Sequence, residues 1–121
     1  MRTLKVKGRV ISGIGRGAYY VMKPEYSAFF ERILKDSPFP GTLNIIVDSD
    51  ITAEILPHTY APKNYGAIKY AVGRFHEIPV IVIKPQKSVH PENVLEIVAP
   101  VSLRQKFNLK DGSEIEVYIF I

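Results

Sequence analysis

Hydrophobic and polar residues alternate along several short segments of this 121-residue chain. In TLKVKGRVIS, near the N-terminus, Leu4, Val6 and Val10 alternate with polar neighbours, which is the period-two pattern of a strand. Later apolar segments are also short and are bounded by Pro, Gly, Asn or Asp; they are TLNIIVD, AIKYAVG, IPVIVIK, NVLEIVA and SEIEVYIFI. The pattern predicts five or six short strands.

One segment, KPEYSAFFERILK, has helical periodicity instead. Its apolar residues recur at i, i+3, i+4, i+7 and i+8, as Tyr26, Phe29, Phe30, Ile33 and Leu34. Pro24 stands at the first helical position, where a proline is tolerated. We predict one amphipathic helix whose aromatic stripe lies in the core. PVSLRQKF predicts one or two further helical turns before an LKDGS turn.

Short strands with one long helix predict a mainly β fold. A closed or nearly closed barrel of six strands is favoured over an open sheet, because closure removes unpaired edges. A doubly wound parallel sheet would need helices alternating with strands. The length fits a single domain over residues 1–121.

Composition removes several classes of function. The chain has no cysteine, which excludes disulfides, thiolate metal sites and a cysteine nucleophile. Its net charge is +4, but the basic residues are scattered, as on a solvated mixed surface. The histidines lack metal-ligand spacing and are expected at the surface or in local hydrogen bonds; they are His58, His76 and His90. No apolar run is long enough for a membrane span or a signal peptide, so a soluble cytoplasmic protein is expected.

Two polar features could carry chemistry. SGIGRGAYYV places Gly13, Gly15 and Gly17 at every second position after the first strand, a spacing that matches neither common phosphate-loop motif. Backbone without side chains can approach an anion closely, although a simple glycine-rich turn is the alternative. In GTLNIIVD, alternation places Thr42 and Asn44 on one strand face. Their neutral oxygens could hold Mg²⁺ with a nucleotide, or could cap a turn.

Three segments together resemble the archaeal CTP-dependent riboflavin kinases: SGIGRGAYYV, PFPGTLNI and EIVAPVSLRQKFNLKDGSEIEV. The resemblance covers about residues 6–119 and is weakest over 51–84. It implies a small cradle-loop β-barrel that transfers the γ-phosphoryl group of CTP to the ribityl 5′-hydroxyl of riboflavin, giving FMN and CDP. Some family members carry an additional winged-helix domain, so this chain is expected to be the kinase module alone.

The resemblance also implies the site residues. The nucleotide would contact Gly13, Ile14, Gly15, Arg16, Gly17 and Ala18, and a second segment comprising Val101, Ser102, Leu103 and Arg104. One Mg²⁺ would bind Thr42 and Asn44 together with the nucleotide phosphates. Flavin contacts would include Ser88 and Glu96. No general base is evident from the sequence; Glu96 is a candidate, although its implied place is beside the flavin.

The sequence leaves two other functions open. LRQKFNLKDGSEIEV also resembles strand-turn-strand segments of small swapped-hairpin DNA-binding barrels, but these need neither the glycine spacing nor the Thr-Asn pair, and this chain has no basic stripe. A flavin-binding protein without catalysis is the third reading. We expect a monomer that binds riboflavin and CTP, with no nucleic-acid or membrane partner.

Overall fold

The structure is a computed structural model that describes residues 2–13, 21–47, 55–86 and 93–121. Seven strands and two helices lie within these ranges. In chain order they are β1 Thr3–Ile11, α1 Pro24–Leu34, β2 Leu43–Val47, β3 His58–Tyr60, β4 Ile68–Phe75, β5 Ile78–Pro85, β6 Val94–Val98, α2 Leu103–Lys106 and β7 Glu114–Phe120. No helix in the described ranges is long and apolar enough to cross a membrane.

Six of the strands close into an antiparallel barrel. The strand order is β3-β4-β5-β6-β2-β1-β7, and β7 also pairs with β4, which completes a ring from β4 to β7. β3 lies outside this ring: it pairs with residues 68–70 of β4, whereas β7 pairs with residues 72–74. The predicted six-stranded, mainly β barrel is confirmed, and β3 is an addition that the sequence pattern did not indicate.

A glycine makes the closure of the ring possible. At Gly73 of β4, an added Cβ would lie 2.1 Å from the backbone oxygen of Tyr118 in β7. An added Cβ would overlap that oxygen, so the close approach of β4 to β7 requires glycine at this position.

Alternate residues of the barrel strands fill two separate cores. Val80 and Val82 of β5 belong to the interior core, together with residues such as Val10, Ile45, Leu95 and Val117. Ile81 and Ile83 belong to an outer core beneath α1, where they pack with Tyr26, Phe29, Phe30 and Leu34. Burial on both faces explains why β5 is a continuous apolar run. The predicted aromatic stripe of α1 is therefore confirmed as core.

Candidate active site

Four neighbouring strands align a row of residues on one face of the barrel. The register pairs Ile11 with Asn44, Asn44 with Glu96, and Glu96 with Ile83. Ile83 packs in the outer core beneath α1, so the row lies on the outer face of the barrel. Residues directly opposite one another on adjacent strands share a face. The fold therefore places Asn44 beside Glu96, although they are far apart in the sequence.

Asn44 and Glu96 are the buried amide and carboxylate of this row, with 8% and 7% of their surfaces exposed. The hydroxyl of Thr42 donates a hydrogen bond to Glu96 Oε1 at 3.0 Å. Asn44 Oδ1 is buried and has no hydrogen-bond partner in the described part of the chain. A buried polar atom left unpaired costs about 1–3 kcal/mol, which makes this oxygen a candidate ligand for a bound group.

The first glycine of the glycine-rich segment lies directly against this amide. A Cβ added to Gly13 would lie 2.1 Å from Asn44 Nδ2 and 3.2 Å from Asn44 Cγ. Backbone can therefore approach the Asn44 side chain only because position 13 has no side chain. The start of the glycine-rich segment and the Thr-Asn pair form one local cluster.

A cavity of about 180 Å³ adjoins Thr42. It is lined by Phe39, Gly41, Thr42, Leu43, Ile97, Ala99, Val101, Ser102, Leu103 and Arg104. Two local contacts shape it: the Phe39 amide donates to the Ala99 carbonyl at 2.8 Å, and Ser102 Oγ caps α2 by accepting from the Gln105 amide at 3.2 Å. A larger open groove of about 820 Å³ over β1, β2 and β7 contains none of the predicted site residues.

Arg104 is tied to the end of β1 through an acidic residue. Its Nη2 donates to Asp111 Oδ1 at 3.0 Å and to the Ile11 carbonyl at 3.4 Å. The hydroxyl of Ser12 donates to the other carboxylate oxygen, Asp111 Oδ2. The hydrogen bond from Ser12, followed by that from Arg104, holds the pKa of the Asp111 carboxyl below its usual value.

Comparison with known proteins gives these clusters a context. A family model named for CTP-dependent riboflavin kinases, with the description "Domain of unknown function DUF120", matches residues 10–119. The chain belongs to the CTP-dependent riboflavin kinase family. The Gly13, Thr42–Asn44 and 101–104 segments all lie within the stretch that matches this riboflavin kinase family.

Relatives with the name riboflavin kinase match almost the whole chain. The protein of Sulfurisphaera tokodaii is 33% identical, over 100% of both chains. The protein of Pyrobaculum aerophilum is 36% identical over 98% of this chain and 62% of its own length, and that of Sulfolobus acidocaldarius is 32% identical over 99% of this chain and 84% of its own. The chain thus spans about 62% of the length of the Pyrobaculum relatives that it matches.

The fold brings together residues that the riboflavin kinase resemblance had assigned to different ligands. Gly13, Thr42, Asn44 and Glu96 form one cluster, and residues 101–104 line the adjoining cavity. The remaining predicted residues lie outside the described part of the chain: Ile14, Gly15, Arg16, Gly17, Ala18 and Ser88.

Three residues near these clusters were not singled out from the sequence. Phe39 belongs to the PFPGTLNI segment, yet its place in the cavity wall follows from its backbone bond to Ala99. Ser12 and Asp111 belong to no recognisable sequence motif, and the LKDGS segment around Asp111 indicates only a turn.

Of the histidines, His58 and His76 are exposed, as expected, and His90 lies outside the described residues.

The described residues contain no group of three or more histidine, aspartate or glutamate side chains that could hold a metal ion. Thr42 and Asn44 supply neutral oxygens, and Glu96 is the nearby carboxylate. Such a set would bind a divalent cation weakly by itself and more strongly when a nucleotide contributes phosphate oxygens.

Proposed function

We propose that this chain is a CTP-dependent riboflavin kinase, which transfers the γ-phosphoryl group of CTP to the ribityl 5′-hydroxyl of riboflavin and releases FMN and CDP. Family membership and the relatives' names support the reaction class. The observation that carries the proposal is the cluster of Thr42 with the buried Asn44 and Glu96 beneath Gly13, in which one amide oxygen has no partner among the described residues.

The residues of this cluster fit a magnesium ion. Mg²⁺ is held in proteins by a few hard oxygens, with water and substrate phosphates completing its shell. Asn44 Oδ1 is such an oxygen, and it is buried without a partner in the described ranges. Thr42 directs its hydroxyl hydrogen to Glu96, which leaves the oxygen's lone pairs for a cation. Thr42 and Asn44 would hold the ion, which would neutralise charge on the phosphates.

This chemistry depends mainly on positioning and on charge neutralisation. Phosphoryl transfer passes through a loose transition state, in which alignment and charge neutralisation supply most of the acceleration. Backbone amides of residues 13–18 would bind the phosphates in place of a P-loop lysine. Glu96 orients the Thr42 hydroxyl through the bond of 3.0 Å, and it is the candidate to accept the proton of the ribityl hydroxyl.

The cavity beside Thr42 supports nucleotide binding by residues 101–104. About 180 Å³ of space is lined by Phe39 and by residues 101–104, which include the start of α2. Backbone carbonyls and amides in such a short segment can present donors and acceptors in a fixed order, which is what recognition of a cytosine edge requires. Ser88 and Glu96 would contact the flavin. A monomeric state, a cytoplasmic location and the absence of a nucleic-acid partner remain predictions.

The proposal is tested by incubating the purified protein with riboflavin, CTP and Mg²⁺ and separating the flavins by chromatography. We expect FMN in the complete mixture and none when the triphosphate or the metal is omitted. Riboflavin that binds but is never converted would indicate a flavin-binding protein without catalysis. Neither binding nor conversion, together with salt-sensitive binding of DNA, would indicate the nucleic-acid-binding alternative.

A further inference from the structure

The carboxylate of Asp111 connects two segments that are distant in the sequence. Arg104, at the end of the cavity-lining segment, donates to Asp111 Oδ1 at 3.0 Å. Ser12, directly before Gly13, donates to Asp111 Oδ2. Each carboxylate oxygen thus binds one segment. We call Ser12, Arg104 and Asp111 the carboxylate clasp.

The backbone around Asp111 is anchored independently of its side chain. The Gly112 amide donates to the Val10 carbonyl at 2.7 Å, and the Val10 amide donates to the Ser113 carbonyl at 2.8 Å. The Leu109 amide donates to the Arg104 carbonyl at 2.9 Å, which links the same turn to α2. The turn would therefore keep its place if the carboxylate were removed. Ser12 would lose its acceptor, and Arg104 would keep only the longer hydrogen bond of 3.4 Å to the Ile11 carbonyl.

The clasp is too exposed to contribute much to folding. The side chains of Arg104 and Asp111 are 41% and 57% exposed. Exposed ion pairs of this kind add little to stability, because solvent screens the charges and both side chains lose conformational freedom. The position of the clasp is more informative than its energy. Ser12 directly precedes the glycine-rich segment, and Arg104 is the last residue of the segment beside the cavity.

We propose that Asp111 is a positioning residue for the nucleotide: it holds Ser12 and Arg104 in a fixed relation, so that the two nucleotide-binding segments are aligned before CTP binds. This inference rests on the proposed function. Alignment before binding lowers the ordering cost of association, so its loss weakens nucleotide binding. Glu96, the described residue assigned to the flavin, is held by the pairing of β6 with β2 and by the hydrogen bond from Thr42. Neither contact involves the clasp, so riboflavin binding should not depend on it.

The test compares Asp111→Ala with Glu116→Ala in steady-state kinetics. Glu116 forms another exposed ion pair, 3.8 Å from Lys5, and is a matched control for loss of a surface carboxylate. We expect Asp111→Ala to raise KM for CTP about tenfold, since small misplacements of binding groups have effects of this order or more. KM for riboflavin should change less than twofold. Glu116→Ala should leave both constants and the melting temperature unchanged.

Ser12→Ala provides an independent variant if Asp111→Ala folds poorly, since it removes one exposed hydroxyl and leaves the Arg104–Asp111 pair in place. Ser12→Ala should also raise KM for CTP. In the double variant with Asp111→Ala, the fold-increase in KM should be less than the product of the two single fold-increases. Asp111→Asn retains one carbonyl acceptor and should give an intermediate KM.

Two results would overturn the inference while the wild-type protein makes FMN. One is an unchanged KM for CTP in both Asp111→Ala and Ser12→Ala; the other is an equal rise in KM for CTP and riboflavin, as a merely structural role would give. A wild-type protein that makes no FMN would overturn the proposed function and, with it, this inference.

Discussion

Asn44 joins features that are separate in the sequence. Its amide lies beneath Gly13, it pairs across the strands with Glu96, and Glu96 in turn accepts the Thr42 hydrogen bond. Its Oδ1 remains unpaired within the described ranges. A fully apolar side chain would avoid the cost of that oxygen, so its presence in a buried row calls for a functional reason.

Removing either oxygen should impair catalysis more than folding. Thr42→Val keeps the β-branched shape, and Asn44→Leu keeps a similar volume, while the interior face of β2 is unchanged in both. We expect each variant to reduce turnover at least about tenfold, since even indirect disturbance of a metal site has effects of that size. Thr42→Ser, which retains the hydroxyl, is the matched control. Near-normal turnover at low Mg²⁺ in either oxygen-deleting variant would contradict the assignment.

Gly13→Ala should separate the glycine-rich segment from Asn44. The added Cβ would fall 2.1 Å from Asn44 Nδ2, so either the backbone or the amide must move. We expect a lower kcat and a higher KM for CTP with little change in melting temperature, because Gly13 is exposed. Gly8→Ala, within the preceding strand β1, is the control and should preserve the kinetic constants. Unchanged kinetics in Gly13→Ala would show that the close approach has no role in the reaction.

At the level of single residues, the sequence predicted only part of the cluster of Gly13, Thr42, Asn44 and Glu96. Strand alternation alone predicts Thr42 and Asn44 on one face. In the structure Asn44 pairs with Glu96, and Thr42, directly before β2, donates a hydrogen bond to the same carboxylate. The proximity of Glu96 could not be derived from alternation, because it depends on β6 being the neighbour of β2. The clasp was equally inaccessible, because nothing local to Asp111 reveals that it meets Ser12 and Arg104.

Among the elements, β3 shows why short strands escape sequence patterns. Three residues, His58–Tyr60, are too few to establish alternation. The strand is held by tertiary contacts instead: the Tyr60 ring stacks on Phe29 with centroids 3.8 Å apart, and its hydroxyl donates to the Glu25 carbonyl at 2.7 Å. By contrast, β1 and α1 were predictable from apolar periodicity over nine or more residues, and β5 was predictable from its continuous apolar run.

The pairing of β4 with β7 depends on Gly73, and Gly73→Ala tests this element directly. The new Cβ would lie 2.1 Å from the Tyr118 backbone oxygen, which cannot rotate away as a side chain can. We expect a loss of about 1–3 kcal/mol in the free energy of unfolding, the usual effect of forced overpacking. In Gly8→Ala the nearest atom is the Ile45 Cδ1 at 2.9 Å, the end of a side chain, so the loss should be smaller. Equal losses in urea titrations would contradict this explanation of closure.

For the whole molecule, the sequence predicted that the sheet closes into a barrel, but it did not predict which strands are neighbours. Several short strands and one helix favour a barrel, because an open sheet would leave edges unpaired. Which strands are neighbours is set by long-range packing: β2 lies between β1 and β6, and β5 is covered by α1 on its outer face. That arrangement assembles the candidate site from segments near both ends of the chain.

Base selection would be a property of the proposed nucleotide site, which segments distant in the sequence would form together. We predict a preference for CTP over ATP and GTP, because cytosine presents an amino donor beside two acceptors and a purine presents a different and larger edge. Each mismatched buried hydrogen bond costs about 1–3 kcal/mol, so two could give discrimination on the order of a hundredfold. The check is the initial rate of FMN formation at equal, subsaturating concentrations of each triphosphate. Equal rates would reject base recognition by residues 101–104, even if kinase activity were present.

Transfer of labelled phosphate tests the central claim most directly. The purified protein is incubated with riboflavin, Mg²⁺ and CTP carrying ³²P in the γ-phosphate, and the products are separated. We predict that the label appears in FMN, in equal amount to the CDP formed, and that Asn44→Leu lowers both together. Label that appears only as inorganic phosphate, or that stays in CTP while riboflavin is unchanged, would contradict the account.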